Sequence, residues 1–336
     1  KGLGWILSLK EHEKIDNLFF QQKLRNAIDN RTELAASEET DCYRIFNGEG
    51  DGIGGMQIDC LGGYYVFQWY SQGIYKFRDA ILNVFCELVD YQGIYEKRRF
   101  KDKGKYLEGE DFVRGKRHPE EFVVKENGVL YKADLDDGAM YGIFLDQREV
   151  RKALIERYAR DRAVLNTFSY TGAFSVAAKT GGASKTVSVD LANRSRQMTE
   201  DNFRLNGMDP AEEQIVVEDI YNYFHYARKK RLEFDLIVLD PPSFSRSKKR
   251  VFQAEKDYQE LVELALAVAA PRAVLVLSTN CSTLAIKKFR QFAEQAAKKA
   301  GRKYRLLEEH RNPVDFPPKQ GYPESNYLKV LIIEVD

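Results

Sequence analysis

From Leu145 to the C-terminus, short apolar runs alternate with stretches in which apolar residues recur every three to four positions. This alternation limits the possible folds more than any other feature of the chain. The runs at 163–167, 186–190, 214–217, 236–240, 273–278 and 327–335 are short and rich in apolar and β-branched residues, as strands of a covered parallel sheet are. Helical spacing begins near Ser175, Arg194, Asp257 and Leu284. Strands separated by helices build a parallel sheet covered on both sides. The predicted class is α/β, a Rossmann-like domain preceded by a smaller α+β domain.

The first half has a different texture. A helical segment at 14–26 and a polar stretch at 31–41 lead into strand-like runs at 43–46, 56–58 and 64–70. A helix over 75–89, a strand at 94–96 and a hairpin over 122–135 follow, the hairpin turning at Asn127 and Gly128, the pair a type I′ turn favours. No helix-forming segment directly follows the glycines between Gly48 and Gly55, so a structural loop is favoured there over a phosphate site. The chain opens at Lys1 inside a strand-like run, which predicts that residues upstream are missing. The expected boundaries are 1–34, 35–147 and 148–336, in keeping with two units in 336 residues.

The formal net charge is +1 and no apolar run is long enough to span a bilayer, so the chain reads as cytoplasmic. A nucleic acid would have to be held by local basic patches, such as 97–101 with Arg99, 228–231, or 246–250 with Lys248. Taken singly, each patch is more readily a solvated helix end or loop. Cys42, Cys60, Cys86 and Cys281 show neither metal-ligand spacing nor a secreted framework, which predicts reduced thiols and no metal.

Ligands of such sheets bind beyond the carboxyl ends of the strands. The first strand runs from Asn166 into Phe168, Ser169, Tyr170, Thr171, Gly172, Ala173 and Phe174, a small-residue turn that lets a ligand approach the backbone. The second ends in Asp190 and Leu191, where a carboxylate can accept from both ribose hydroxyls, and the third in Asp219, which could accept from an adenine amino group. Each acid alone is as readily a helix cap. Three in succession point to a nucleoside. The pyrophosphate fingerprint of three glycines is absent, and Tyr170 and Phe174 take the space a pyrophosphate needs, so S-adenosylmethionine fits better than a nicotinamide dinucleotide. After the fourth strand come Asp240, Pro241, Pro242, Ser243 and Phe244. The prolines stiffen a polar edge suited to a planar base, with Phe244 placed to stack on it. A proline-ended strand without chemistry is the bland alternative.

In combination, the segments at 142–148, 166–174, 188–190, 240–244, 281–282 and 327–329 resemble the bacterial S-adenosylmethionine-dependent ribosomal RNA methyltransferases related to the large-subunit rRNA cytosine-C5 methyltransferase I. The resemblance runs from about Asn47 onward. It implies a class I methyltransferase domain with a mostly parallel seven-stranded sheet, large-subunit rRNA as partner, and residues 1–34 as the end of a PUA-type RNA-binding domain. A homodimer is compatible with it. It assigns Gln147, Phe168 through Phe174, Asp190, Leu191, Asp219 and Asp240 to the cofactor. The base is left to the Asp240 edge with Pro241, Pro242, Ser243 and Phe244, and RNA phosphates to Lys248 and Arg99. Arg148 is open between a cofactor contact and an internal tie. Many class I enzymes carry an acid where this chain has Asn166.

Carbon 5 of cytosine is a poor nucleophile, and its methylation generally needs a thiolate added at carbon 6. Cys281 stands where this family has that thiolate. The run from Asp240 to Lys248 also resembles the guanine-N7 rRNA methyltransferases, which need no cysteine because a ring nitrogen already offers a lone pair. A third reading, of another class, is a non-enzymatic RNA-binding or ribosome-assembly factor with a vestigial cofactor pocket.

Overall fold

The computed structural model describes residues 4–102, 105–106, 110–136, 138, 140–246 and 251–336. The chain divides into two compact units, the first comprising 1–145 and 313–325, the second 146–312 and 326–336.

In the first unit Asp16 starts helix α1 (Asn17–Asp29), its carboxylate accepting from the amides of Leu18 and Phe19. The sheet contains β1 (Cys42–Asn47), β2 (Met56–Leu61), β3 (Tyr64–Trp69), β4 (Gly93–Arg98) and β5 (Phe112–Gly115) in that order. Only β3 and β4 pair in parallel, across the connecting helix α2 (Arg78–Leu88). Phe20 and Leu24 of α1 lie in one apolar cluster with Phe46, Phe67, Trp69 and Phe85. The helix expected within a separate 1–34 remnant thus shares the core of the sheet, where its amphipathic face is buried. Strands β6 (Val123–Glu126) and β7 (Val129–Lys132) form the anticipated hairpin, with φ of 51° at Asn127 and 77° at Gly128 as a type I′ turn requires.

Segment 313–325 belongs to this unit although its sequence neighbours on both sides belong to the other. Arg31 pairs with Asp51 through two bonds of 2.7 Å and donates to the Asp315 carbonyl at 2.8 Å. The amide of Arg44 donates to the Asp315 carboxylate, and its guanidinium lies 4.4 Å from the centre of the Phe316 ring. Asn47 Nδ2 donates to the Pro317 carbonyl.

The second unit runs α3 (Arg148–Ala153), β8 (Ala163–Thr167), α4 (Ala173–Thr180), β9 (Lys185–Asp190), α5 (Asn193–Leu205), β10 (Gln214–Val217), α6 (Ile220–Lys229) and β11 (Phe234–Leu239). A short hairpin, β12 (Phe244–Arg246) and β13 (Val251–Gln253), leads to α7 (Ala254–Leu266), β14 (Ala269–Thr279), α8 (Ile286–Lys299), β15 (Tyr304–His310) and β16 (Lys329–Val335). The seven-stranded sheet has the order β10-β9-β8-β11-β14-β16-β15, parallel except for β16, which is antiparallel to both neighbours. Leu236, Val238, Val274 and Val276 pack on one face with Phe174 and Ala178 of α4. The alternate residues Ile237, Leu239, Leu275 and Leu277 pack on the other with Tyr258 and Phe289. Strand order reverses between β8 and β11, which makes their carboxyl ends the switch point. Among the described residues no helix is long and apolar enough to cross a membrane.

Candidate active site

Three buried or partly buried polar groups meet at the switch point. Gln147, 3% exposed and just ahead of α3, donates from Nε2 to both oxygens of Asp240 at 3.2 Å and to Ser278 Oγ at 2.7 Å. Asp240 follows β11 and Ser278 lies in β14, neighbouring strands in which Leu239 pairs with Leu277. Burial pushes the Asp240 carboxyl up to about 6, against hydrogen bonds from Ser278 and Gln147; nearby Asp146 adds to the rise and Arg151 opposes it. Behind them the hydroxyl of Tyr258, on α7, lies 2.9 Å from the Leu239 carbonyl and 2.8 Å from that of Ser278. One buried phenol therefore ties together the two strand ends that carry the polar cluster.

The turn after β8 has an unusual backbone. Phe168, Tyr170 and Gly172 have φ of 54°, 50° and 74°, and such conformations in non-glycine residues cluster at ligand sites. Asp190, closing β9, anchors the turn: one oxygen accepts from the Tyr170 amide at 2.8 Å and the other from Ala192 at 2.9 Å. A carboxylate offers about four acceptor positions, so capacity for further donors is left. Gly172 is required on two counts, its positive φ and Thr199 Cγ2, which a Cβ would meet at 2.4 Å. Ser169, Thr171, Ala173 and Phe174 are buried, while Leu191 is 57% exposed. Asn166 is buried and donates to Ser175 Oγ.

Two buried acceptors at this end of the sheet, Gln147 Oε1 and Asn166 Oδ1, meet no donor among the described residues. Unsatisfied buried acceptors call for a donor from outside the protein. The ammonium and ribose hydroxyls of S-adenosylmethionine are such donors, so the residues present fit that group.

Asp219 follows β10 and caps α6, one oxygen accepting from the amides of Tyr221 (3.0 Å) and Asn222 (3.4 Å). Pro241 is buried; Pro242 is exposed, and Phe244 is 59% exposed at the start of the β12 hairpin. Cys281 lies two residues beyond β14, 9% exposed, its Sγ 3.5 Å from the Thr283 hydroxyl and 3.9 Å from a Glu255 oxygen. Arg148 is buried and contacts Glu149. Lys248 lies outside the described residues. Arg99 is half-buried in the first unit. Its neighbour Lys97, expected among the phosphate contacts, is taken up internally: the ammonium is buried between the Asp111 carboxylate (2.6 Å) and the Leu135 carbonyl. The sequence reading gave no role to Ser278, Tyr258, Asp146 or Lys329. The last two join the same region, Asp146 accepting from Tyr327 and Lys329 donating to the Cys281 carbonyl.

Comparison with known proteins agrees with this geometry. The family model of S-adenosylmethionine-dependent methyltransferases matches residues 98–333. YwbD of Bacillus subtilis, named as a ribosomal RNA large subunit methyltransferase, is 50% identical over 99% of this chain and 85% of its own. Ribosomal RNA large subunit methyltransferase I of Aeromonas salmonicida is 34% identical over 98% of this chain and 83% of its own. The crystal structure of SMU.776, described as a methyltransferase complexed with SAH, superposes with a TM-score of 0.92 at 40% identity, covering 98% of this chain and 84% of that one. A polar cluster and unsatisfied acceptors at the switch point, a matching family model and relatives aligned over almost the whole chain converge: the chain belongs to the S-adenosylmethionine-dependent methyltransferases, in the family of YwbD and large subunit methyltransferase I.

Proposed function

We propose that the chain methylates large-subunit ribosomal RNA at carbon 5 of a cytosine, with Cys281 as nucleophile. The observation that carries this reading is the adjacency of β11 and β14, whose carboxyl ends lead directly to Asp240 and Cys281. The choice of RNA is supported by the two relatives, which are named for that substrate. In this reading Gln147, the turn from Phe168 to Phe174, Asp190, Leu191 and Asp219 hold the cofactor. When bound, S-adenosylmethionine supplies an electrophilic methyl group.

The chain's own residues do the rest. Asp240 and the carbonyls after it hold the hydrogen-bonding edge of the base, between the stiff Pro241, Pro242 and Ser243 and the exposed ring of Phe244. The Cys281 thiolate adds to carbon 6, which raises electron density at carbon 5. Loss of the carbon 5 proton after transfer breaks the carbon–sulfur bond and returns the thiolate. Arg99 and Lys248 are assigned to RNA phosphates on their charge alone.

The test is methyl transfer from labelled S-adenosylmethionine to protein-free large-subunit rRNA by wild type, Cys281→Ala and Asp240→Ala, with the product nucleoside identified by mass spectrometry. The expected product is 5-methylcytidine, lost in both variants. Full activity of Cys281→Ala, or a nitrogen-methylated guanine, would replace this reading with methylation of a ring nitrogen. Absence of both cofactor binding and transfer in wild type would leave the non-enzymatic reading.

A further inference from the structure

Lysine normally keeps its ammonium in water, but Lys329 does not. It opens β16 opposite Thr279 of β14 and is 3% exposed. Its Nζ donates to the carbonyls of Tyr327 at 2.7 Å and Cys281 at 3.0 Å, and no carboxylate among the described residues pairs with it. An ammonium has three hydrogens, so one remains. Burial lowers the Lys329 pKa to about 8 with help from Arg311, while the Cys281 sulfur pulls it back up. A buried cation with no anion beside it carries an uncompensated desolvation cost, which an anion forming nearby would relieve.

The groups that face Cys281 favour its sulfur as that anion. Glu255 approaches from α7, but it is solvent-exposed and its charge is screened. Thr283 offers a neutral hydroxyl. Tyr258, also on α7, has its hydroxyl engaged by the Leu239 and Ser278 carbonyls. Arg311, beyond β15, is cationic and donates to the carbonyls of Leu328 and Asn326. Lys329 is the buried charge of the group.

We propose that Lys329 is a positioning residue for Cys281, fixing the backbone of the cysteine and supplying the counter-charge that lets its sulfur ionise. Its meaning for catalysis rests on Cys281 being the nucleophile; the ionisation itself can be measured without RNA. The experiment alkylates the full chain with iodoacetamide at pH 7 and pH 9 and follows the Cys281 peptide by mass spectrometry, beside a free cysteine peptide. An ordinary thiol reacts about 25-fold faster at the higher pH, because the thiolate is the reacting form. With Lys329 as counter-charge, Cys281 is expected to gain only about two- to fivefold. Lys329→Met should return the ratio toward that of the free peptide and Lys329→Arg should keep it low. A free-peptide ratio in the unaltered protein overturns the proposal, as does an unchanged ratio in a folded Lys329→Met. The first comparison decides alone if that variant does not fold. Full methyl transfer by Cys281→Ala would remove the nucleophile reading while leaving these ratios as they are, so the two failures are distinguishable.

Discussion

Asp240 is pulled in opposite directions by its surroundings. Burial favours its neutral form, while Gln147 and Ser278 donate to it as a carboxylate. A carboxyl with a folded pKa near 6 binds its proton more tightly folded than unfolded. The stability linked to it is therefore fully present in acid and declines as pH rises through about 6. On the proposed role of Asp240 as an acceptor for the base, activity runs the other way, because only the ionised form accepts there. Methyl transfer should fall as pH drops below about 6. Asp240→Asn should lose transfer while being at least as stable as wild type at pH 8 in urea titrations. A variant less stable at that pH would contradict the burial argument. Asp240 was legible in the sequence because the prolines after it mark the strand end. Ser278 and Lys329 were not given roles: serine at a strand end has many uses, and nothing in a sequence says that a lysine is buried. Both depend on the pairing of β14 with β11 and β16, contacts made between residues far apart in the chain.

At the level of strands and helices, Tyr258 adds a side-chain tie to the ladder at two strand ends, since its hydroxyl bonds to the last residue of β11 and the penultimate residue of β14. Tyr258→Phe keeps the ring packed against Phe289, 4.8 Å between centroids, and removes only that tie. The expected cost is about 1–2 kcal/mol in denaturant midpoint experiments, with a larger proportional loss of transfer, because a buried hydroxyl shared by two carbonyls is removed. The six strand runs of the second unit were readable because short stretches rich in apolar and β-branched residues alternate there with helical spacing. The seventh, β15, was not. It carries Arg305, Glu308, Glu309 and His310, and it lies at the sheet edge, paired only with β16, where charge is tolerated and discourages further pairing. Helix α6 was also missed: its tyrosines and phenylalanine are not strong helix formers, and Asp219, favoured as a nucleoside contact with a helix cap as the alternative, starts it as a cap.

On the scale of the whole molecule, the chain passes between its two units three times, after 145, after 312 and after 325. The sequence reading placed a single junction there, because the run from Pro313 to Ser325 has no local mark of belonging elsewhere. Its ties are distant in sequence, at Arg31, Arg44 and Asn47. A fragment ending at 145 lacks the Asp315 carbonyl and carboxylate and the Pro317 carbonyl that these residues use. It should unfold at lower urea than the same unit in the full chain, and adding a 313–325 peptide should restore part of the difference. Arg31→Met in the full chain should cost about 3–5 kcal/mol, since it leaves Asp51 buried without its partner.

The same connectivity sets a timetable for synthesis. Domains commonly fold as units while the chain emerges, the N-terminal one first. Here residues 4–136 of the first unit emerge before residues 313–325, which supply the buried Phe316 ring over Arg44 and the Asp315 and Pro317 acceptors. Until then the first unit waits with part of its polar interior open, and synthesis must pass residue 325 before it reaches its final form.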